Sequence, residues 1–358
     1  MNATKHDAQP ATAGWHNRRA SLLLAGSAIT VLFAVMAIGW GSFRIPAADA
    51  AAILWKRVGG MEISGNWPAS WETVILDIRL PRVILAALVG AALAAAGAVY
   101  QGLFRNPLAD PYLIGVSSGA GLGATIAIAF GLQLGWSGLG AVSLLAFGGA
   151  LSSTTLVYLL SRVGGRTSVA TLLLAGIALS SLLSAMTTFL MFRAQDAFRT
   201  VHVMGWLMGS FALANWTKAV LMAVVLALGG AVIWSHGHRL NVLQLDEEQA
   251  HQLGIPVAWT QLVLIVAASL ITATAVSVSG VVGFVGLIVP HAVRLVWGPD
   301  FRFLIPMGAL CGAMFTMMAD GLARTLLSPS ELPVGVVTAF CGAPFFLYLL
   351  RRRRNLAW

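Results

Sequence analysis

Apolar residues in this chain come in runs rather than in alternation. The stretch "SLLLAGSAITVLFAVMAIGW" (Ser21 to Trp40) is apolar on every side when wound as a helix, and comparable runs recur to the C-terminus between short polar turns. At 1.5 Å rise per residue, about 20 such residues cross about 30 Å of hydrocarbon. Barrel strands would alternate polar and apolar over about ten residues, so the pattern predicts helices. Ten spans are expected, over 20–41, 82–103, 113–131, 139–161, 168–192, 216–235, 257–278, 281–297, 303–325 and 335–350. The fold class is an all-α polytopic membrane protein. One transmembrane domain covers 20–350, between tails at 1–19 and 351–358.

Composition agrees with that reading. Of 358 residues, 58% are hydrophobic and 10% charged, against about 25% charged in a soluble domain, and the mean hydropathy is +0.83. The net charge of +9 is carried mainly by arginine, since Lys5, Lys56 and Lys218 are the only lysines. These arginines lie between spans and in "RRRR" (Arg351 to Arg354), which fits topology signals facing anionic lipid and not a nucleic-acid surface. Cys311 and Cys341 fall inside expected spans and read as small apolar residues. The first apolar run is longer than the core of a signal peptide, so an uncleaved first span is expected.

An even number of spans puts both termini on one side. Arg18 and Arg19 before span one and the terminal arginines after span ten assign that side to the cytoplasm. Arg105, Arg162, Arg166, Arg239, Arg294 and Arg302 agree. Arg79 and Arg82 in "RLPRVILAALVG" then fall outside, as do Arg44, Lys56 and Arg57 in the segment joining spans one and two. Interfacial snorkelling is the plain reading of Arg79 and Arg82, yet it leaves their position outside unexplained.

Gly115, Gly119 and Gly123 recur every four residues and predict a small helix face for close packing in lipid. Gly280, Gly283 and Gly286 recur every three, in a short segment expected to end at Pro290; packing and a bent, pathway-lining helix are both open readings. Between spans six and seven, "HRLNVLQLDEEQAHQLGIPVAW" predicts a short cytoplasmic helix with acidic residues at its start and Gly254 at its end. A plain surface helix and a partner-docking element stay equally open.

Catalytic motifs are missing. No lysine follows a glycine, so no phosphate-cradling loop of the G-x-x-x-x-G-K-[ST] type exists, and ATP and Mg would have to be held by another subunit. No zinc spacing or serine-nucleophile elbow appears, and His236 and His238 alone make no metal site. The chain is read as having no enzyme activity, cofactor or metal of its own. Ion-coupled transport would call for carboxylates at mid-membrane; Asp320 and Arg324 lie instead near one end of span nine, four apart, and read as a local ion pair.

Four segments carry a family resemblance: Arg79 to Gly121, Leu245 to Val257, Gly283 to Leu295, and "ELPVGVVTAFCGAPFFLYLL" (Glu331 to Leu350). Together they resemble the permease subunits of bacterial ABC importers for iron-siderophores, haem and cobalamin, the type II importers. The resemblance implies a homodimer, two cytoplasmic ATP-binding subunits and a periplasmic substrate-binding protein. It further implies that Arg79, Arg82 and Arg324 dock that protein. A coupling helix for the ATPase subunit would lie within 240–254, with Leu245, Asp246, Glu247, Glu248, Gln252, Leu253 and Gly254 as its contact residues. Asn106, Leu108, Ser168 and Val169 correspond to a cytoplasmic gate. Val169 and Ala170 stand where cobalamin-type relatives tend to carry small hydroxyl residues, which weakly disfavours cobalamin. Met186, Met191, Arg193, His202, Met204 and Met208 are candidates for the cargo path, with packing the competing reading of the methionines. Haem is the preferred cargo, ahead of ferric siderophore and cobalamin.

Overall fold

The computed structural model describes residues 11–41, 45–59, 67–133, 135–136, 138–163, 166–167, 169–245 and 247–353. In chain order, α1 (Ala11–Gly39) leads through α2 (Ala47–Gly59) and α3 (Ala69–Thr73) into a π-helical turn, Val74–Arg79, which continues directly as α4 (Leu80–Leu103). Proline at the second position of α4 has no N–H to donate, and the wider π winding ends just before it. A 3-10 turn, Pro111–Ile114, precedes α5 (Val116–Ala129), then come α6 (Ala141–Ser161), α7 (Val169–Ala194), α8 (Ala197–Leu207) and α9 (Trp216–Ser235). Short helices α10 (Gly237–Leu243) and α11 (Glu247–Gln252) lead to α12 (Val257–Ser279), α13 (Val285–Trp297), α14 (Phe301–Thr325) and α15 (Val334–Arg353). Two-residue antiparallel strand pairs close the turns on either side of α6.

Among the described residues, seven helices are long and apolar enough to span a bilayer, and three shorter apolar helices, in α5, α13 and α15, stand where the remaining expected spans lie. The structure adds helices in segments expected to be loops. Lys56 on α2 pairs with Glu72 on α3 at 2.8 Å, and the Trp67 indole donates to the same carboxylate at 3.1 Å. One of the three cations that the topology puts outside in that segment, Lys56, therefore has a partner within it.

Two helices are enclosed by the rest. In the span that contains α4, 83% of the apolar window is buried, and in α12 78%, against 17% in α7. Alanine and glycine dominate α4 because lipid gives helices no hydrophobic drive to associate, and van der Waals contact between close backbones must hold them. A methyl group on Gly90 would sit 2.2 Å from the Gly312 carbonyl of α14, and one on Gly97 would sit 1.9 Å from the Gly286 carbonyl of α13. The four-residue glycine repeat holds for two of its three members: Gly119 and Gly123 on α5 lie against the backbone of α6 at Gly149 and Leu145, while Gly115 precedes the helix at φ 84°. Outer helices α1, α7 and α9 expose leucine, isoleucine, valine and phenylalanine, as a hydrocarbon-facing surface requires.

The second glycine series behaves differently. Gly280 and Gly283 lie in a non-helical break between α12 and α13, with Gly280 at φ 70° and Phe284 at φ 68°. Pro290 does not end a span but sits inside α13, which runs on to Trp297. Repetition every three residues marks unwound backbone here, not one side of a helix.

Candidate docking site and translocation surface

At the end of the bundle opposite the start of α1, three arginines converge. Arg79 and Arg82 are three apart and share a helix face; Arg324 arrives from the last turn of α14, four residues after Asp320. All are buried, with Arg79 6%, Arg82 7%, Arg324 5% and Asp320 1% exposed. Arg82 is gripped on both edges of its guanidinium. Its Nε and Nη2 donate to Asp320 at 3.0 and 2.8 Å, while Nη1 and Nη2 donate to the two oxygens of Glu331 at 3.0 and 2.9 Å. Arg324 Nε lies 3.1 Å from Asp320 as well. The local pair read from the spacing is thus one side of a three-helix network.

Among the described residues, Asp320 and Glu331 are the carboxylates bonded to this ring. Part of the compensation comes from the C-terminal turn of α1, where helix carbonyls carry partial negative charge. Arg79 donates to the Ile38 and Gly39 carbonyls at 3.0 and 3.3 Å, and Arg324 to the Ala37 carbonyl at 3.3 Å. Glu331, whose side chain is 39% exposed, forms the wet edge of the ring.

Next to the ring, three segments are tied by backbone hydrogen bonds. Ser210 N donates to Ser279 O at 2.8 Å, Val334 N to Gly209 O at 2.9 Å and Gly335 N to Met208 O at 2.9 Å. The tie forms one wall of an apolar cavity of about 600 Å³ that extends along α15, lined by Leu207, Met208, Val281, Phe284, Phe340 and Pro344 among others. Its volume lies within the range of small-molecule sites, about 300–1,000 Å³. Irregular backbone at membrane depth is tolerated where it is buried or lines a cavity, and the 280–284 break does the latter.

The opposite end holds a smaller polar knot. Asp300 accepts from the amide of Arg302 and so caps α14; it also accepts from Asn241 Nδ2 at 2.7 Å and pairs with Arg19. Asn241 Oδ1 in turn accepts from Phe301 N at 2.9 Å. Burial pushes the Asp300 carboxyl up, but hydrogen bonds from Asn241, Arg19 and the Arg302 amide outweigh it and hold the group below the usual carboxylate range. Asp110, in the turn after α4, is pushed up to about 6 by burial, and the Tyr112 amide offsets only part of that rise.

The predicted site residues fare unevenly. Arg79, Arg82 and Arg324 do come together, but inside the subunit and already bonded. The helix expected within 240–254 is two helices, α10 ending at Leu243 and α11 starting at Glu247, and beside the break Asn241 and Gln244 bond the ends of α14 and α4. Leu245, Glu248, Gln252 and Leu253 are exposed, and Gly254 stops α11 at φ 77°; Asp246 lies outside the described residues. The Asn106 side chain accepts from Leu108 N at 3.0 Å, fixing a turn whose Leu108 lines a small pocket together with Ile288, His291, Phe345 and Phe346. Val169 opens α7, and Ser168 lies outside the described residues. Of the six cargo-path candidates, Met208 lines the cavity. Met186, Met191 and Arg193 sit on α7 and His202 and Met204 on α8, away from that lining, with the His202 ring against Phe198. Glu331, Asn241 and Asp300 carry much of the polar architecture without having been singled out; Glu331 was visible as the first residue of the "ELPVG" motif.

Ten membrane-length or apolar helices, a buried arginine ring at one end and an apolar cavity beside unwound backbone define the class: a polytopic transport permease. The chain belongs to the FecCD transport family, which matches it over residues 28–352. It is similar to the cobalamin import system permease protein BtuC of Halobacterium salinarum, 47% identical over 286 residues that cover 80% of this chain and 75% of the relative. It is also similar to the hemin transport system permease protein HmuU of Yersinia pestis, 44% identical over 290 residues, 80% of this chain and 85% of the relative. A solved structure described as a metal-chelate type ABC transporter in an inward-facing conformation matches with a TM-score of 0.79 at 34% identity, over 93% of this chain and 99% of that one. The chain is therefore the membrane-spanning permease component of an ABC transporter, and its fold is that of the type II importers.

Proposed function

We propose that this subunit imports a bulky metal chelate, haem in preference, from periplasm to cytoplasm by alternating access. In this reading it sits in a bacterial inner membrane as a homodimer with both termini cytoplasmic. Two ATP-binding subunits hold ATP and Mg, and a periplasmic substrate-binding protein delivers the cargo. The observation that carries the reading is the apolar cavity on α15: a lining of leucine, valine, phenylalanine and one methionine suits a flat ligand with an apolar body. Relatives transporting cobalamin and haemin are about equally similar, so the lining and not the likeness favours haem.

The arginine ring, at the external end under this topology, is the docking site for acidic side chains of the binding protein. The two short helices, with Leu245 and Leu253 exposed beside the acidic run, engage the ATPase subunit. The Asn106 to Leu108 turn and the start of α7 form the inner gate. Complexes reconstituted in vesicles with both partners provide the test, offered haem, cobalamin or a ferric siderophore. ATP-dependent accumulation of haem is the expected result. Uptake of cobalamin or siderophore with haem excluded would reassign the cargo, and uptake without an ATPase subunit would overturn the class of mechanism.

A further inference from the structure

The geometry points to Glu331 as an internal substitute for the partner's carboxylate, a latch that holds Arg82 until docking exchanges one acid for another. This inference rests on the docking reading above. Arg82 uses one edge of its fork on Asp320 and the other on Glu331. The two acids are not equivalent. Asp320 is buried, shared with Arg324 and held on a helix, whereas Glu331 is 39% exposed and sits in the segment between α14 and α15. A bidentate carboxylate on an arginine is the geometry an acidic docking residue would need. Glu331 already fills it from the solvent side, so an incoming carboxylate must replace it.

Replacement has a structural consequence. Three residues after Glu331, Val334 N bonds Gly209 O, and Gly335 N bonds Met208 O, with Gly335 and Met208 both lining the cavity. Leu332 N is anchored to Ala323 O at 3.0 Å, so the segment from Glu331 to Gly335 is a short strap from the arginine ring to the cavity wall. Release of Glu331 removes one of the two ties at the ring end of that strap and leaves it on the Leu332 bond. Docking and the mouth of the path are thereby joined through five residues.

The experiment uses the complete transporter in lipid nanodiscs and, as probe, the substrate-binding protein that stimulates its ATP hydrolysis. Glu331→Gln removes the competing charge while keeping the side chain's size, and should tighten docking by about threefold to tenfold at low salt. Arg82→Gln should weaken docking, with Arg82→Lys as the milder variant should the first not assemble. Hydrogen exchange at Leu332 to Gly335 should quicken when the binding protein is added to the unsubstituted complex. If Arg82 variants weaken docking while Glu331→Gln leaves it unchanged and the strap's exchange does not alter, the latch is refuted and the docking site stands. If neither residue affects docking, the docking reading falls and the latch with it.

Discussion

The two ends of the bundle solve the same problem, placing charge beside a membrane, in opposite ways. At the α4 entrance the inner charges are sealed: Arg82, Asp320 and Arg324 are buried, and Glu331 alone carries the network out to solvent. At the α14 entrance, Arg19 and Asp300 keep 22% and 27% of their side chains exposed, and an amide, Asn241, shares the bonding. The sealed ring fixes geometry at high stakes, while the open knot is adjustable. For a transport subunit that must change shape, the contrast separates a buried pair built to hold, Arg82 with Asp320, from contacts at Glu331 and Asp300 that solvent reaches and a partner can exchange.

The largest expected effect comes from breaking the sealed ring. Asp320→Asn leaves Arg82 with Glu331 and takes from Arg324 the carboxylate it is paired with, and removal of one partner from a buried pair costs about 3–5 kcal/mol; thermal unfolding in detergent should show it as a large drop in melting temperature. A loss below 1 kcal/mol would mean that the ring is wetter than its burial indicates. Asn241→Ala removes two hydrogen bonds from the open knot, at 2.7 and 2.9 Å, and is expected to cost about 1–2 kcal/mol. Its effect on ATP-driven uptake should exceed its effect on melting, since the residue ties α10 to α14.

Salt gives the next contrast. Between 0.1 and 1 M the screening length falls from about 10 to about 3 Å, so the stability difference between the unsubstituted protein and Arg19→Gln should shrink, while the Asp320→Asn difference persists. Acid gives the smallest effect. Asp300 has a lowered carboxyl in the folded protein, so its contribution is present above the ordinary aspartate value, about 3.9, and is lost as pH falls through the lowered one. Asp300→Asn should flatten that acid limb in a melting curve measured against pH.

How much of this was legible in the sequence follows from how local each signal is. Spans are written in runs of apolar residues, and the small face of α5 is written in a four-residue repeat; both depend on near neighbours and both hold. The convergence of Arg82 with Asp320 joins residues 238 apart, and that of Asn241 with Asp300 joins residues 59 apart. Neither pairing has a local mark. The Gly280 to Gly286 series was visible but ambiguous, because glycine serves both close packing and positive φ, and only the fold separates Gly286, pressed against α4, from Gly280, which turns the chain. The break within 240–254 was hidden for a related reason: the acidic run and Gly254 mark α11 well, yet the bonds that Asn241 and Gln244 make beside the break go to distant elements.

The sequence distance within the arginine ring also sets a schedule for biosynthesis. Arg82 leaves the ribosome 238 residues ahead of Asp320, an interval of about 12–48 s at about 5–20 residues per second. For most of that time α4, the helix destined to be enclosed, lacks α12 and α13 around it, and throughout it lacks a complete α14, so its arginine lacks both carboxylates. A long side chain placed at the mouth of the span can reach the headgroups in the meantime. The interfacial posture is thus a stage in assembly, ended when α14 is threaded alongside and the charge is drawn in.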